Sequence, residues 1–374
     1  MKSSLPMRHA SDEPPRSRSR PLVRAARMAL YPRFAEVTRT KLDRLLQYAR
    51  SHEKALILTH DNPDPDSIAA GVALAYLLEK LAGVHAIVAY GGIVGRAENR
   101  ALVKVLKLPV VPVSRVVFDD YDLICMVDTQ PEQGNHSLPA RHFPDVVIDH
   151  HPERPDSHLA PIADVGGPIG ATSTVVAGYF RASGLEVPPP VATALFYGIK
   201  ADTRDLGRQT TRPDVDAYLW LFPMTDKEAL AEIEHPTLPT DYFRLYHTAI
   251  ERAVVYGDAV VCDLAEIYAP DMVAEVAERF MSLEGMRWSL AFGRYEDDLY
   301  FSIRTNDRRM NAGRLIRDVI EAKGGSAGGH GTMAGARLPV KGLSAAALRR
   351  LEEELVKDFL DAFGMKGRKG KKMV

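Results

Sequence analysis

One stretch of this chain constrains its fold more than any other: an apolar run, a proline-containing polar loop and a second apolar run. Residues 55–58 predict a buried strand, and residues 68–81 predict a helix. The loop between them, residues 60–67, has the sequence His-Asp-Asn-Pro-Asp-Pro-Asp-Ser. Pro63 and Pro65 stiffen this loop, because each fixes its own φ angle and restricts the residue before it. The pattern predicts an α/β sheet with an imidazole and carboxylates at the carboxyl end of a strand, where such sheets bind ligands.

Three further apolar runs end in aspartate or histidine. The residues that follow them are Asp128, the triplet Asp149-His150-His151, and Asp202. Taken singly, such residues are usually caps or turn residues, and residues 60–67 could form a plain turn with Asp66 or Ser67 as helix N-cap. Taken together, they crowd carboxylates that a cation would neutralise. Oxygen donors with a minority of imidazoles suit Mn²⁺ or Mg²⁺ better than Zn²⁺ or Cu²⁺, and the number of carboxylates predicts a pair of ions.

The order and spacing of these groups resemble the motifs of the DHH phosphoesterase superfamily. The resemblance covers residues 40–365, and its four motifs are His60-x-Asn-Pro-Asp64-x-Asp66-Ser, Val127-Asp128, Asp149-His150-His151 and Gly198-Ile199-x-x-Asp202-Thr203. The glycine-rich loop of residues 324–330 is similar to the Gly-Gly-His motif of the smaller DHH-associated domain. Together these features resemble the two-domain branch that contains nanoRNases, bifunctional oligoribonuclease/pAp phosphatases, and phosphodiesterases of linear or cyclic dinucleotides.

The resemblance implies six metal ligands that are divided between two ions. They are His60 and Asp64 on the first ion, Asp66, His150 and Asp202 on the second, and Asp128 as the bridging carboxylate. The implied cofactor is two Mn²⁺ ions, with Mg²⁺ or Co²⁺ as alternatives.

The resemblance also implies catalytic and substrate-binding residues. The catalytic set is Asp128, Asp149, which orients the imidazole beside it, and His151, which faces the scissile phosphate or the leaving group. The residues expected to hold the terminal phosphate of the substrate are Gly328, Gly329, His330 and Arg304. The chain departs from the family pattern at Arg204, because a glycine often follows the Asp-Thr pair of the fourth motif.

The implied function is hydrolysis of phosphodiester or phosphomonoester bonds by two-metal activation of water. The substrates would be short oligoribonucleotides, linear dinucleotides such as pGpG and pApA, or pAp. A cyclic di-AMP phosphodiesterase and a non-catalytic nucleotide- or RNA-binding protein on the same fold stay open as alternatives. Inorganic pyrophosphatases of the superfamily generally carry a different C-terminal domain, so the Gly-Gly-His motif argues against that activity.

Composition narrows the class of partner and the cellular compartment. The formal net charge of −1 provides no global basic field for long nucleic acid, which favours short RNA or a dinucleotide as substrate. The two cysteines, Cys125 and Cys262, lie in strand-like runs of different predicted domains, so we expect no disulfide and a reducing, cytoplasmic compartment. No apolar stretch approaches the length of a membrane span, so we expect no membrane partner. The sequence allows a homodimer.

The predicted fold class is α/β: a parallel-sheet N-terminal domain with helices on both faces, plus a smaller α/β C-terminal substrate-binding domain. Strands are expected near residues 54–60, 84–90, 123–128 and 145–149 of the first domain. The expected segments are a disordered basic leader (1–36), the catalytic metal-binding domain (37–225), a linker region with a helix (226–256), the substrate-binding domain (257–365) and a basic tail (366–374). Met28 is an alternative start of the chain.

Overall fold

The computed structural model describes residues 36–307 and 309–374, so the predicted leader lies outside the described residues except for its last one. The predicted fold class is confirmed, because an α/β domain built on a parallel sheet is followed by a smaller α/β domain with its own sheet. Among the described residues, no helix combines the length and the apolar character needed to cross a lipid bilayer.

Six parallel strands form the sheet of the first domain, in the order β3-β2-β1-β4-β5-β6. Their bounds are β1 (Lys54–Leu58), β2 (His85–Tyr90), β3 (Val110–Pro112), β4 (Leu123–Val127), β5 (Val146–Asp149) and β6 (Ile162–Val165). Four of them confirm the predicted strands, whereas β3 has three residues and β6 contains Asp164 in place of a continuous apolar run, so neither stands out in the sequence. The chain extends the sheet from β1 to β3 on one side and then returns to place β4 on the other side of β1. This reversal opens a crevice between the carboxyl ends of β1 and β4.

Within the described residues, seven α-helices accompany this sheet. They are α1 (36–49 in the described part), α2 (Pro65–Ala82), α3 (Ala97–Val105), α4 (Thr172–Ser183), α5 (Pro189–Asp202), α6 (Arg212–Leu221) and α7 (Lys227–Glu234). Alternate residues of β1 face opposite sides, so Ala55 and Ile57 lie in the main core with the helices. Leu56 and Leu58 face a smaller apolar cluster with Phe118, which belongs to a short 3₁₀ helix.

The second domain contains a mixed sheet of seven strands in the order β11-β12-β10-β9-β8-β7-β13, with only the β8–β9 pair parallel. The strands are β7 (Val254–Tyr256), β8 (Ala259–Glu266), β9 (Trp288–Tyr295), β10 (Asp298–Thr305), β11 (Ser326–His330), β12 (Met333–Pro339) and β13 (Lys371–Lys372). The helices are α8 (Thr240–Arg252), α9 (Met272–Phe280), α10 (Ala312–Ile320) and α11 (Ala345–Ala362). One face of the sheet packs against α10 and α11, and the other packs against α8 and α9.

Two segments of the second domain differ from the sequence-based expectation. The glycine-rich stretch is not an open loop, because its residues 326–330 form the edge strand β11 and pair with β12. Glycine disfavours strands, but the backbone groups of β12 supply the pairing that local sequence does not predict. The basic tail also contributes a strand, β13, which pairs with β7.

Candidate metal centre

The ends of three neighbouring strands and of one helix bring the predicted ligands together. His60 and Asp64 lie in the loop after β1, Asp128 directly follows β4, and β5 ends at Asp149. Asp202 is the last residue of α5. These ends meet at the crevice where the strand order reverses, so the predicted ligands lie close enough to form one cluster.

The junction between β1 and α2 positions two carboxylates. Asp64 caps α2 by accepting the N–H of Ser67 at 3.0 Å, and Pro65 occupies the first helical position. The alternative in which Asp66 or Ser67 is the N-cap is therefore wrong. Because the helix begins at Pro65, three residues before the predicted start, Asp66 lies in its first turn and is only 1% exposed. A single turn of chain thus fixes Asp64 beside His60 and Asp66 beside His150 and Asp202.

Asp128 connects the two halves of the cluster. Its Oδ2 lies 3.7 Å from Nε2 of His60, and its Oδ1 lies 3.7 Å from Nε2 of His150. The residue is 3% exposed, and its backbone φ of +59° is a left-handed conformation that costs free energy for a residue other than glycine. Such strain is typical of functional sites. Each carboxylate oxygen of Asp128 therefore lies beside a different histidine of the cluster.

Two groups of side chains could each hold a metal ion. One consists of His60, Asp64 and Asp128, the other of Asp66, His150 and Asp202, and in each group the ligand atoms lie within 4.8 Å of one another. Nε2 of His60 is 3.6 Å from Oδ1 of Asp64, and Nε2 of His150 is 3.3 Å from Oδ2 of Asp202. A third group overlaps with both and consists of Asp128, Asp149, His150 and His151.

The charges of the cluster fit a divalent cation. Burial and the carboxylates of Asp66 and Asp64 raise the pKa of Asp202 to about 7. Burial and the same two carboxylates also raise the pKa of Asp128 well above its usual range. Burial opposes the charge on His60, but the Asp64 carboxylate outweighs burial and raises the pKa of His60 to about 9. Carboxylates crowded in this way hold protons that a metal ion can displace.

The start of α4 holds two of these carboxylates. The backbone N–H groups of Thr172 and Ser173 donate to Oδ2 and Oδ1 of Asp66 at 2.7 and 2.8 Å. The hydroxyl of Thr172 donates to Oδ1 of Asp128 at 2.8 Å. Helix α4 has no side-chain cap of its own, because its first hydroxyls bind other groups. The positive end of a helix thus stabilises the negative charge of Asp66.

Asp149 contacts the ring of His151 rather than that of His150. Its Oδ1 accepts the backbone N–H of His151 at 3.0 Å and lies 2.8 Å from Nδ1 of the same residue, while its Oδ2 accepts from Gln130 at 2.7 Å. Burial disfavours charge on His151, but Asp149 outweighs burial and raises the pKa of His151. The ring of His150 instead lies 3.2 Å from the carbonyl oxygen of Ile169, so a backbone group orients it.

Two further residues near the cluster have no sequence signal that would identify them. Gln130 is fully buried and holds Asp149, and Arg208 lies 3.4 Å from Oδ1 of Asp202.

Gly198 belongs to the fourth motif, and the structure explains why this position needs a glycine. A Cβ at this position would lie 2.4 Å from Oγ of Ser173, so α5 can approach α4 closely only with glycine here.

The predicted substrate-binding residues lie on the second sheet. Arg304 is in β10, where it donates to the hydroxyl of Ser302 at 2.8 Å and to the carbonyl oxygen of Ile303 at 3.0 Å. Gly328 and Gly329 lie in the edge strand β11. The side chain of His330 lies outside the described part of the chain. These residues therefore lie on two strands of the second sheet, β10 and the edge strand β11.

Comparison with known families identifies both halves of the chain. The family model for the DHH family, N-terminal domain, matches residues 54–199, and the model for the DHHA1 domain matches residues 257–360. An uncharacterized protein of Methanocaldococcus jannaschii is 34% identical over 331 residues, which are 86% of this chain and 67% of that protein.

A probable manganese-dependent inorganic pyrophosphatase of Lactiplantibacillus plantarum is 27% identical over 184 residues, which are 49% of this chain and 57% of that protein. The chain thus spans little more than half the length of this relative. Among solved structures, an exopolyphosphatase-related protein from Bacteroides fragilis superposes with a TM-score of 0.68 at 17% identity, over 87% of this chain and 98% of that chain. At this identity the likeness concerns the fold.

The motif order, the two domain matches and the arrangement of strands all indicate the same family. The M. jannaschii relative extends the similarity over most of the chain. The resemblance inferred from the motifs is confirmed, and the chain belongs to the DHH phosphoesterase superfamily, in the branch that carries a DHHA1 domain.

Proposed function

We propose that this protein is a metal-dependent phosphoesterase acting on short oligoribonucleotides, linear dinucleotides such as pGpG and pApA, or pAp. The observation that carries the proposal is the position of Asp128, a buried carboxylate whose two oxygens lie beside different histidines. Two cations, preferably Mn²⁺, would be held by the groups described above, with Asp128 between them. Bound divalent cations neutralise phosphate charge and lower the pKa of an attacking water.

Three residues of this chain, His151, Asp149 and Gln130, supply and position the proton donor of the proposed reaction. Water attacks phosphorus, the bond from phosphorus to the leaving oxygen breaks, and His151 gives a proton to that oxygen while the proton of water passes to solvent. Because Nδ1 of His151 lies 2.8 Å from Asp149, the proton comes from Nε2. Asp149 fixes the ring and favours its protonated form, and Gln130 holds Asp149 in turn.

The second domain is the proposed site of substrate recognition. Arg304 takes part in no ion pair within the described residues, so its guanidinium fork has bonding capacity for a phosphate. No atom lies within 4 Å of the place where a Cβ would stand on Gly328, which leaves the backbone of the edge strand open to an anion. Both features support binding of a terminal phosphate by Arg304 of β10 and by the backbone of β11, with His330 as a further contact.

The proposal is tested by a substrate panel of pGpG, pApA, pAp, cyclic di-AMP and inorganic pyrophosphate, compared by kcat/KM with Mn²⁺ and with Mg²⁺. We expect linear substrates to be cleaved best, and Asp128→Asn to remove both activity and calorimetric Mn²⁺ binding. The matched control is Asp164→Asn, because Asp164 is also a buried carboxylate of the first domain but bonds to Lys41 and Tyr179 instead. Equal activity in the wild type and Asp128→Asn would refute the proposal.

Inorganic pyrophosphatase is the second candidate, favoured by the pyrophosphatase relatives of this chain. The DHHA1 match over residues 257–360 argues for the nucleotide substrates instead. Preference for pyrophosphate in the panel would reverse the order of the two candidates. A protein that binds dinucleotides and Mn²⁺ but cleaves none of the five compounds would be a binding protein on this fold.

A further inference from the structure

The imidazole of His60 is oriented by the backbone of its own loop. Its Nδ1 lies 2.9 Å from the carbonyl oxygen of Asp61, so Nε2 is the nitrogen that faces Asp64 and Asp128. A backbone carbonyl often fixes the ring of a metal-binding histidine in this way. The direction of the His60 ring therefore depends on where the peptide of Asp61 is held.

The segment that follows Asp128 holds this peptide. The backbone N–H of Asp61 donates to the carbonyl oxygen of Asn135 at 2.6 Å, and the hydroxyl of Ser137 donates to Oδ1 of Asp61 at 2.7 Å. The side chain of Asn135 accepts in turn from the hydroxyl of Thr129 at 2.7 Å, and Thr129 is fully buried. We call these four residues (Asp61, Thr129, Asn135 and Ser137) the Asp61 clamp. Because Thr129 directly follows Asp128, the clamp connects the loop after β1 to the central carboxylate of the cluster.

A third segment meets the clamp at Gly91, directly after β2. A Cβ on Gly91 would lie 1.9 Å from Oδ1 of Asp61 and 2.2 Å from Oγ of Ser137, so a larger residue would displace the clamp. The carbonyl oxygen of Gly91 also accepts the N–H of Asn62 at 2.9 Å. The loop after β1 is therefore held by bonds from two other loops.

The second group of ligands has partners of another kind. Asp66 is 1% exposed and accepts two backbone N–H groups at the start of α4, whereas the side chain of Asp64 is 45% exposed. The ring of His150 lies against the carbonyl oxygen of Ile169. Loss of one bond of the clamp should therefore disturb His60 and leave the ligands Asp66 and His150 in place.

We propose that the Asp61 clamp positions the ligands of the first ion, the one expected at His60 and Asp64, and leaves the second ion unaffected. The inference rests on the proposed function, because it requires two ions in the cluster. In the described part of the chain, no clamp residue belongs to the groups of side chains that could hold an ion. The four residues are therefore positioning residues that act through the orientation of His60. The two ion sites then differ in what sets their affinity, since loops determine the first and the start of α4 determines the second.

The experiment is a calorimetric titration of the full chain with Mn²⁺. Asp64→Asn and Asp66→Asn assign the two binding events, because each of these residues belongs to only one of the groups. Ser137→Ala and Thr129→Val should then weaken the event that Asp64→Asn removes by about 10-fold, the lower end of the range for partners that orient metal ligands, and leave the other event unchanged.

Two further variants complete the test. Ser183→Ala is the matched control, since the hydroxyl of Ser183 donates to the carbonyl oxygen of Phe180 at the far end of α4, and it should change neither event. Gly91→Ala disturbs the clamp by a steric route, because its methyl group would displace Asp61, and it should weaken the same event as Ser137→Ala.

Three outcomes would overturn the inference. They are equal weakening of both events in Ser137→Ala, wild-type affinities in both Ser137→Ala and Thr129→Val, and a single Mn²⁺ per chain in the wild type. The titration needs no hydrolysis, so it separates the clamp from the proposed function. Two Mn²⁺ events with the expected pattern, in a protein that cleaves none of the five compounds of the panel, would refute the proposed function and retain the clamp.

Discussion

The hydroxyl of Thr172 donates a hydrogen bond to Oδ1 of Asp128 over 2.8 Å, and the same hydroxyl lies 3.3 Å from the backbone nitrogen of His150. The side chain of Thr172, at the start of α4, thus fixes both the carboxylate of Asp128 and the end of β5, which is followed by the ligand His150. Partners of this kind set the orientation of metal ligands, and their loss typically weakens metal binding about 10- to 100-fold.

Thr172→Val should therefore weaken Mn²⁺ binding by about 10- to 100-fold, because the isosteric side chain lacks the donor to Asp128. Thr172→Ser keeps the hydroxyl and should bind Mn²⁺ almost as the wild type does. The measurement is calorimetric titration with Mn²⁺. Thr174→Val is the matched control, since Thr174 lies two residues further along α4 and its hydroxyl donates to Asp214 at 2.7 Å. Equal affinities in Thr172→Val and Thr174→Val would contradict the prediction.

Asp149→Asn should move the alkaline limb of the pH–kcat profile to lower pH. Asp149 raises the pKa of His151 against the effect of burial, so the protonated ring persists to higher pH in the wild type. Removing the negative charge lowers that pKa, and the proton donor is then lost at lower pH. Gln130→Ala keeps the charge and removes only the 2.7 Å bond to Asp149, so its limb should shift less. A fall in kcat at every pH without movement of the limb would contradict the prediction. It would show that Asp149 orients the His151 ring without controlling its pKa.

The convergence of the metal cluster could be predicted from the sequence because it follows from local rules. Apolar runs mark β1, β4 and β5, and the carboxyl ends of parallel strands share one edge. His60, Asp128 and Asp149 come at or just after these ends, so their proximity needs no knowledge of packing. Asp202 also follows an apolar run, although that run is the helix α5 and not a strand.

The contacts around these residues could not be predicted, because they depend on how separate elements pack. Thr172 meets Asp128 only when α4 is positioned against the sheet, and Glu278 meets Arg204 only when the two domains dock. The conformation of residues 326–330 also depends on tertiary structure, since β12 converts a glycine-rich stretch into a strand. Spacing along the chain encodes none of these three relationships.

The two glycines of β11 should respond differently to alanine. Gly329 has φ of +134°, and a Cβ there would lie 2.5 Å from Cα of Ala334, so Gly329→Ala should cost about 1–3 kcal/mol of stability. Gly328 has open space, so Gly328→Ala should keep the thermal midpoint and raise KM if a phosphate approaches this backbone. Gly335→Ala, opposite Gly328 on β12, is the control for a methyl group added to the same pair. An unchanged KM in Gly328→Ala would remove β11 from the proposed substrate site.

Gly198→Ala should destabilise the first domain and weaken metal binding together. The added Cβ would lie 2.4 Å from Oγ of Ser173 and 3.2 Å from Cα of Asp66, so α5 must move away from the elements that hold Asp66. Overpacking of this kind costs about 1–3 kcal/mol. Gly178→Ala is the helical control, because its Cβ would meet only Cγ2 of Thr38, at 3.3 Å.

A second substitution separates the steric cause from any other effect of losing this glycine. Ser173→Ala removes the Oγ that the new methyl group would strike, while the backbone N–H of Ser173 still donates to Asp66. The double variant Gly198→Ala/Ser173→Ala should therefore recover part of the stability and of the Mn²⁺ affinity that Gly198→Ala loses, which a double-mutant cycle of thermal unfolding and calorimetry measures. Strictly additive losses would show that the approach of α5 to α4 does not limit the site, and the small size of Gly198 would then need another explanation.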